Sequence, residues 1–108
     1  MIKRQENKPN PMGSYKLTVK ADLDIDDIWE YTNSQWGENQ ASKYLSQLEE
    51  RFIALAENPN IGKQRYELTE SPMSYHCGRH VIFYRKARKG IEVIRVLHDS
   101  MDFPRHFK

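Results

Sequence analysis

A single cysteine, Cys77, in 108 residues excludes an internal disulfide and agrees with a reducing compartment. No apolar run approaches the roughly 20 residues that span a bilayer, and the first residues carry no apolar stretch of a signal segment. There is no glycine-rich loop to cradle phosphates and no Gly-x-Ser-x-Gly elbow to raise a serine nucleophile. Repeats and low-complexity tracts are missing as well. These absences point to one soluble cytoplasmic domain with no membrane partner and no phosphate-loop nucleotide chemistry.

What is present is charge. Asp, Glu, Lys and Arg make up 30% of the chain against 38% hydrophobic residues, with a net charge of only +2, so any attraction to an acidic partner has to come from local clustering. From Arg79 to Arg105 the positive residues Arg79, Arg85, Lys86, Arg88, Lys89, Arg95 and Arg105 outnumber Glu92, Asp99 and Asp102. The stretch from Asp22 to Glu57 leans acidic. The C-terminal half is expected to face an acidic partner, a protein or a phosphate backbone. The competing reading is that its strands simply carry solvated charges.

Hydrophobic period sets the elements. Residues 1–14 are polar, hold Pro9 and Pro11, and read as a flexible leader before a single domain at 15–108. Tyr15 to Val19 alternates apolar and polar, as a short half-buried strand does. Ile25, Ile28, Trp29, Thr32 and Trp36 recur at helical spacing, with Asp24, Asp26, Asp27 and Glu30 assigned to the opposite face. Gly37 is placed to stop this helix in a left-handed conformation. Ala41, Tyr44, Leu45, Leu48, Phe52, Leu55 and Ala56 predict a second helix, ended by Asn58-Pro59. So short a break folds the two into an antiparallel hairpin. Ile61 to Ser71 reads as a loop, and Met73–Cys77, His80–Arg85 and Ile91–Leu97 read as strands, the last two joined by a polar turn. Strict alternation puts Ile91, Val93, Arg95 and Leu97 on one face of the last strand and Glu92, Ile94, Val96 and His98 on the other. The string β-α-α-β-β-β predicts an α+β fold: a helical hairpin on one face of a curved, mostly antiparallel sheet.

Few residues suggest chemistry. His76 and His80 flank Cys77, but strand geometry points Cys77 away from both imidazoles, and no third ligand is at hand; neither a metal nor a cofactor is expected. Cys77 reads as a half-buried thiol. Cleavage of RNA through its own 2′-hydroxyl needs a base, an acid and a cation. Arg79, His80, Arg95 and His98 are suitable residue types for that.

Five stretches together carry a resemblance. Gly78-Arg79-His80-Val81-Ile82-Phe83-Tyr84-Arg85 followed by Ile91-Glu92-Val93-Ile94-Arg95-Val96-Leu97-His98-Asp99-Ser100-Met101-Asp102 is similar to the closing strands of ParE toxins. Ala21 to Thr32 and Trp36 to Ala41 resemble that family's helical hairpin, and Leu55 to Lys63 its exit from the second helix. The match runs from Tyr15 to Asp102 in the element order derived above. It implies the RelE/ParE fold and the toxin of a type II toxin–antitoxin system that arrests bacterial growth. For the ParE branch it also implies non-enzymatic inhibition of DNA gyrase by stabilising its cleaved DNA complex. The RelE branch consists of ribosome-dependent mRNA endonucleases, and a member that only binds antitoxin is a further alternative.

On the ParE reading no residue is catalytic. Gyrase contacts are expected on the C-terminal surface, at Arg79, Arg85, Arg95, His98, Met101, Phe103, Arg105 and Phe107, without direct sequence-specific binding of nucleic acid. Arg95 and His98 have a structural alternative, pairing with Asp99, Asp102 or loop carbonyls. A cognate antitoxin that folds on binding is expected in a groove rimmed by Tyr31, Trp36, Tyr44 and Phe52, and larger toxin–antitoxin assemblies are compatible with this. For Trp36 and Phe52 the alternative is burial in the core.

Overall fold

The computed structural model describes residues 14–108. In chain order it has β1 (Ser14–Leu17), α1 (Val19–Trp36), α2 (Glu38–Glu57), a 3-10 turn (Pro59–Ile61), β2 (Lys63–Gln64), β3 (Met73–Cys77), β4 (His80–Ala87), β5 (Gly90–His98) and a last 3-10 turn (Phe103–His106). The leader expected at 1–14 lies outside the described residues except for Ser14, which opens β1.

The first strand is shorter than its alternation suggests because Thr18 takes a different job. Its Oγ1 accepts the Ala21 N–H at 3.0 Å and donates to the Ile94 carbonyl at 2.7 Å. One hydroxyl therefore caps α1 and ties the helix start to β5, while Val19 stands exposed on the first turn. Gly37 does end α1, but at φ +93 and ψ 168, a glycine region distinct from the left-handed helical one. Its carbonyl already accepts the Ala41 N–H of the next helix, so a single residue separates α1 from α2.

The strands form one mixed sheet in the order β1-β5-β4-β3-β2. Only β1 runs parallel to its neighbour, with Tyr15 opposite Ile91; the other pairings are antiparallel. Strand β2 falls inside the stretch read as loop. It is two polar residues long, too short to show a period.

The larger core lies between helices and sheet. Ala21, Ile25 and Ile28 of α1 and Leu45, Leu48, Phe52 and Leu55 of α2 pack on Tyr15, Cys77, Ile82, Tyr84, Ile91, Val93 and Val96. The opposite face is covered by chain rather than helix, with Val81, Phe83 and Leu97 under Leu68, Phe103 and Phe107. Strict alternation on β5 fails at one point. Phe83 faces Arg95 and Tyr84 faces Val93, which leaves Ile94 as an extra residue in a bulge. The bulge shifts the phase, so Val93 and Val96 share the helix side while Ile94 and Leu97 share the other.

Two expectations for α1 are corrected. Trp36 is not core; it is the last helical residue, at the corner with α2, and is 72% exposed. Asp24 is not on the solvent face but reaches across to β5.

Candidate functional site

Two regions hold the polar groups that the sequence singled out: the β3–β4 end of the sheet and the edge of β5. At the first, antiparallel register brings His80 opposite His98, and their rings meet edge-on with centroids 5.4 Å apart. Tyr44 descends from α2 onto the same turn. Its hydroxyl sits 2.7 Å from His80 Nδ1 and 3.3 Å from the Cys77 carbonyl, and accepts the Arg79 N–H at 3.1 Å. Gly78, at φ +62, makes room for this: a Cβ there would lie 2.8 Å from the Tyr44 ring.

Burial, with His98 close by, drops the His80 pKa to about 4, and burial raises that of the Tyr44 hydroxyl. At neutral pH the pair is an uncharged hydrogen-bonded unit. Burial also pushes the Cys77 thiol up, the wrong direction for a nucleophile. Outside this unit, His98 Nδ1 accepts the Ser100 N–H at 3.1 Å and lies 2.7 Å from its hydroxyl. His76 Nε2 lies 3.2 Å from Asp99 Oδ2. His98 Nδ1 is also 3.5 Å from Asp99 Oδ1.

The second region consumes Arg95. Its Nε and Nη2 donate to the two carboxylate oxygens of Asp24, each at 2.8 Å, and the Val96 N–H donates to Asp24 Oδ2 at 2.9 Å. The paired hydrogen bond and charge of Asp24 raise the Arg95 pKa further. The structural alternative paired Arg95 with Asp99, Asp102 or loop carbonyls; the actual partner, Asp24, comes from α1. Beyond Val93, where β1 ends, the edge of β5 would present unpaired amides, and Asp24 answers one of them in place of a strand.

The remaining candidates separate by exposure. Arg79, Arg85, Met101 and Arg105 are exposed. Arg85 is held by Glu92 at 2.8 Å and Glu70 at 3.1 Å. Phe107 is buried and Phe103 partly so, their ring centroids 4.9 and 5.0 Å from that of Phe83. The Arg65 guanidinium lies over Phe83 and Phe103 at 5.9 and 5.6 Å. Phe107 is thus an anchor for the tail, not part of an exposed surface.

The four aromatics expected to rim one groove differ widely in exposure. Phe52 is core, 3% exposed and 5.3 Å from the Tyr15 ring, as its alternative reading had it. Tyr44 belongs to the His80 turn, while Tyr31 and Trp36 stand exposed on α1. No group of three His, Cys, Asp or Glu among the described residues could hold a metal ion, and no described helix is long and apolar enough to cross a membrane.

The family model described as ParE toxin of type II toxin-antitoxin system, parDE, matches residues 15–103. The chain belongs to the ParE toxin family. It is 38% identical over 95 residues to Toxin ParE1 of Caulobacter vibrioides, covering 88% of this chain and 98% of that one. To Toxin ParE1 of Mycobacterium tuberculosis it is 37% identical over 93 residues, covering 85% and 95%. A solved structure titled Chromosomal ParDE TA system from P. aeruginosa superposes with a TM-score of 0.67 at 24% identity, over 81% of this chain and 96% of that one. This likeness shows the fold: two helices on a five-stranded mixed sheet. The ParE family match ends at Phe103, within the tail that lies over Phe83, and places the chain in a ParDE toxin–antitoxin system.

Proposed function

We propose that this ParE toxin arrests growth by stabilising the cleaved DNA complex of gyrase through contact rather than catalysis, and that a cognate antitoxin which folds on binding neutralises it in the cytoplasm. The observation that carries this reading is the pairing of Arg95 with Asp24. Phosphoryl chemistry needs a cation held beside an acid and a base. Arg95 is engaged by a bidentate ion pair with Asp24, and His80 is partly buried and neutral at physiological pH.

Contact falls to the exposed side chains instead. Arg79, Met101 and Arg105 with half-buried His98 and Phe103 form the proposed gyrase surface, and Arg85 extends it. Arg95 and Phe107 support that surface from within. Tyr31 and Trp36, aromatic and exposed, are the proposed anchors for the antitoxin, since buried aromatics dominate the energetics of most protein interfaces.

The purified protein is incubated with gyrase, ATP and supercoiled DNA, and in parallel with programmed ribosomes. Trapped, cleaved DNA is expected. Cut message without trapped DNA would overturn the reading in favour of a RelE-like endonuclease.

A further inference from the structure

Among the described residues, the β4–β5 hairpin beyond Arg85 is the most concentrated positive feature outside the surfaces assigned above. Its tip runs Arg85-Lys86-Ala87-Arg88-Lys89, every residue exposed. Arg85 is neutralised by Glu92 and Glu70. Among the described residues, no ion pair engages Lys86, Arg88 or Lys89.

Topology leaves the tip open on one side and ties it to β1 on the other. On one side β3 ends its pairing at Met73 opposite Tyr84, so β4 from Arg85 to Ala87 runs on without a neighbour from β3. On the other side β1 begins at Ser14 opposite Gly90, and the Ser14 N–H donates to the Lys89 carbonyl at 2.7 Å. The result is a hairpin flanked by β1 along its β5 side and open along its β4 side, with three cations exposed at its end.

The composition of the tip chooses between acidic partners. Protein interfaces are depleted in lysine and anchored by aromatic, Met or well-packed apolar groups. The tip offers only Ala87 as an apolar side chain, while the exposed Tyr31, Trp36 and Met101 lie elsewhere. Cations without apolar anchors suit phosphates, which are bound through charge and counterion release and carry no sequence information. The geometry points to the β4–β5 hairpin as a DNA-backbone contact, in which Lys86, Arg88 and Lys89 bind duplex phosphates without reading bases. The physiological setting rests on the gyrase reading, where cleaved DNA is part of the trapped complex; the binding itself does not.

The full chain is titrated against a fluorescently labelled duplex by anisotropy over a series of salt concentrations. The variant Lys86→Gln/Arg88→Gln/Lys89→Gln is compared with Lys20→Gln/Lys43→Gln/Lys63→Gln, which removes the same charge elsewhere. The hairpin variant is expected to bind more weakly, its log-log salt slope shallower by about 0.9 for each phosphate that is no longer neutralised. The control triple is expected to keep the wild-type slope. Equal weakening in both triples, or an unchanged hairpin variant, would overturn the proposal. Hairpin-dependent binding of a polyglutamate peptide as tight as that of duplex would reassign the site to an acidic protein. Duplex binding that needs the hairpin, without any trapping of gyrase, would sink the gyrase reading and leave the hairpin's role on DNA standing.

Discussion

Asp24 and Arg95, 71 residues apart in sequence, meet through two parallel 2.8 Å hydrogen bonds that fasten α1 to the unpaired edge of β5. Both side chains are mostly covered, at 15% and 12% relative exposure for Arg95 and Asp24. Removing one partner of such a pair strands the other charge away from water. Asp24→Ala is expected to destabilise the fold by about 3 kcal/mol, the lower end for a covered pair broken on one side. Combining it with Arg95→Met should recover part of the loss. Urea unfolding of the two single variants and the double checks this; additive losses would mean that the pair is not coupled.

His80 makes stability depend on pH. Its folded pKa of about 4 lies below the ordinary 6.5, so between those values the unfolded chain binds a proton that the folded chain refuses. The stabilisation is complete above about pH 6.5 and is lost as pH falls through about 4. The urea midpoint should drop between pH 7 and pH 4.5, and His80→Gln should flatten that drop relative to wild type. An equal slope in both proteins would place the titration elsewhere.

Gly78 is required twice, by its backbone angle and by the ring above it. Gly78→Ala is expected to cost about 1–2 kcal/mol from the positive φ alone, and more from the clash with Tyr44. In Tyr44→Ala the steric part disappears, so the double variant should lose less than the sum of the singles. Thermal melts of the three proteins measure it.

The two proposed partner surfaces should separate by mutation. Tyr31→Ala/Trp36→Ala is expected to leave the melting temperature unchanged while weakening antitoxin binding about thirtyfold or more, a loss in the hot-spot range of roughly 2 kcal/mol or more. Met101→Ala/Arg105→Glu should spare antitoxin binding and abolish growth arrest. Cutting the chain after Asp102 is the blunter probe. It also strips Phe103 and Phe107 from Phe83, so an inactive product would mix a missing gyrase surface with a loosened fold. Isothermal titration and a growth assay read the two surfaces; a single variant that fails both would merge them.

Helices and long strands were legible in the sequence because many residues repeat one period. The α2 face from Ala41 to Ala56 and the runs His80–Arg85 and Ile91–Leu97 are of this kind. Features that depend on one residue meeting a distant one were not. Asp24 looks like any acid in an acidic helix until β5 arrives beside it. The Ile94 bulge is invisible because both alternation phases of β5 hold apolar residues. Trp36 has the right phase for burial, but phase does not say where the cover ends. For the site, residue types marked His80, His98 and Arg79 as neighbours in chemistry, yet the phenol that hydrogen-bonds His80 came from α2, in a position that reads as core.

Strand β1 opens the described domain, yet its only partner in the sheet is β5, among the last elements to be made. During synthesis the helical hairpin emerges first, with the apolar faces of α1 and α2 lacking most of the sheet that covers them. Thr18 waits for Ile94, and Asp24 for Arg95. Contacts this distant in sequence form late, because loop closure must come before any reward. A chain made only as far as β4 therefore lacks the one strand that holds β1 in the sheet and answers both Thr18 and Asp24.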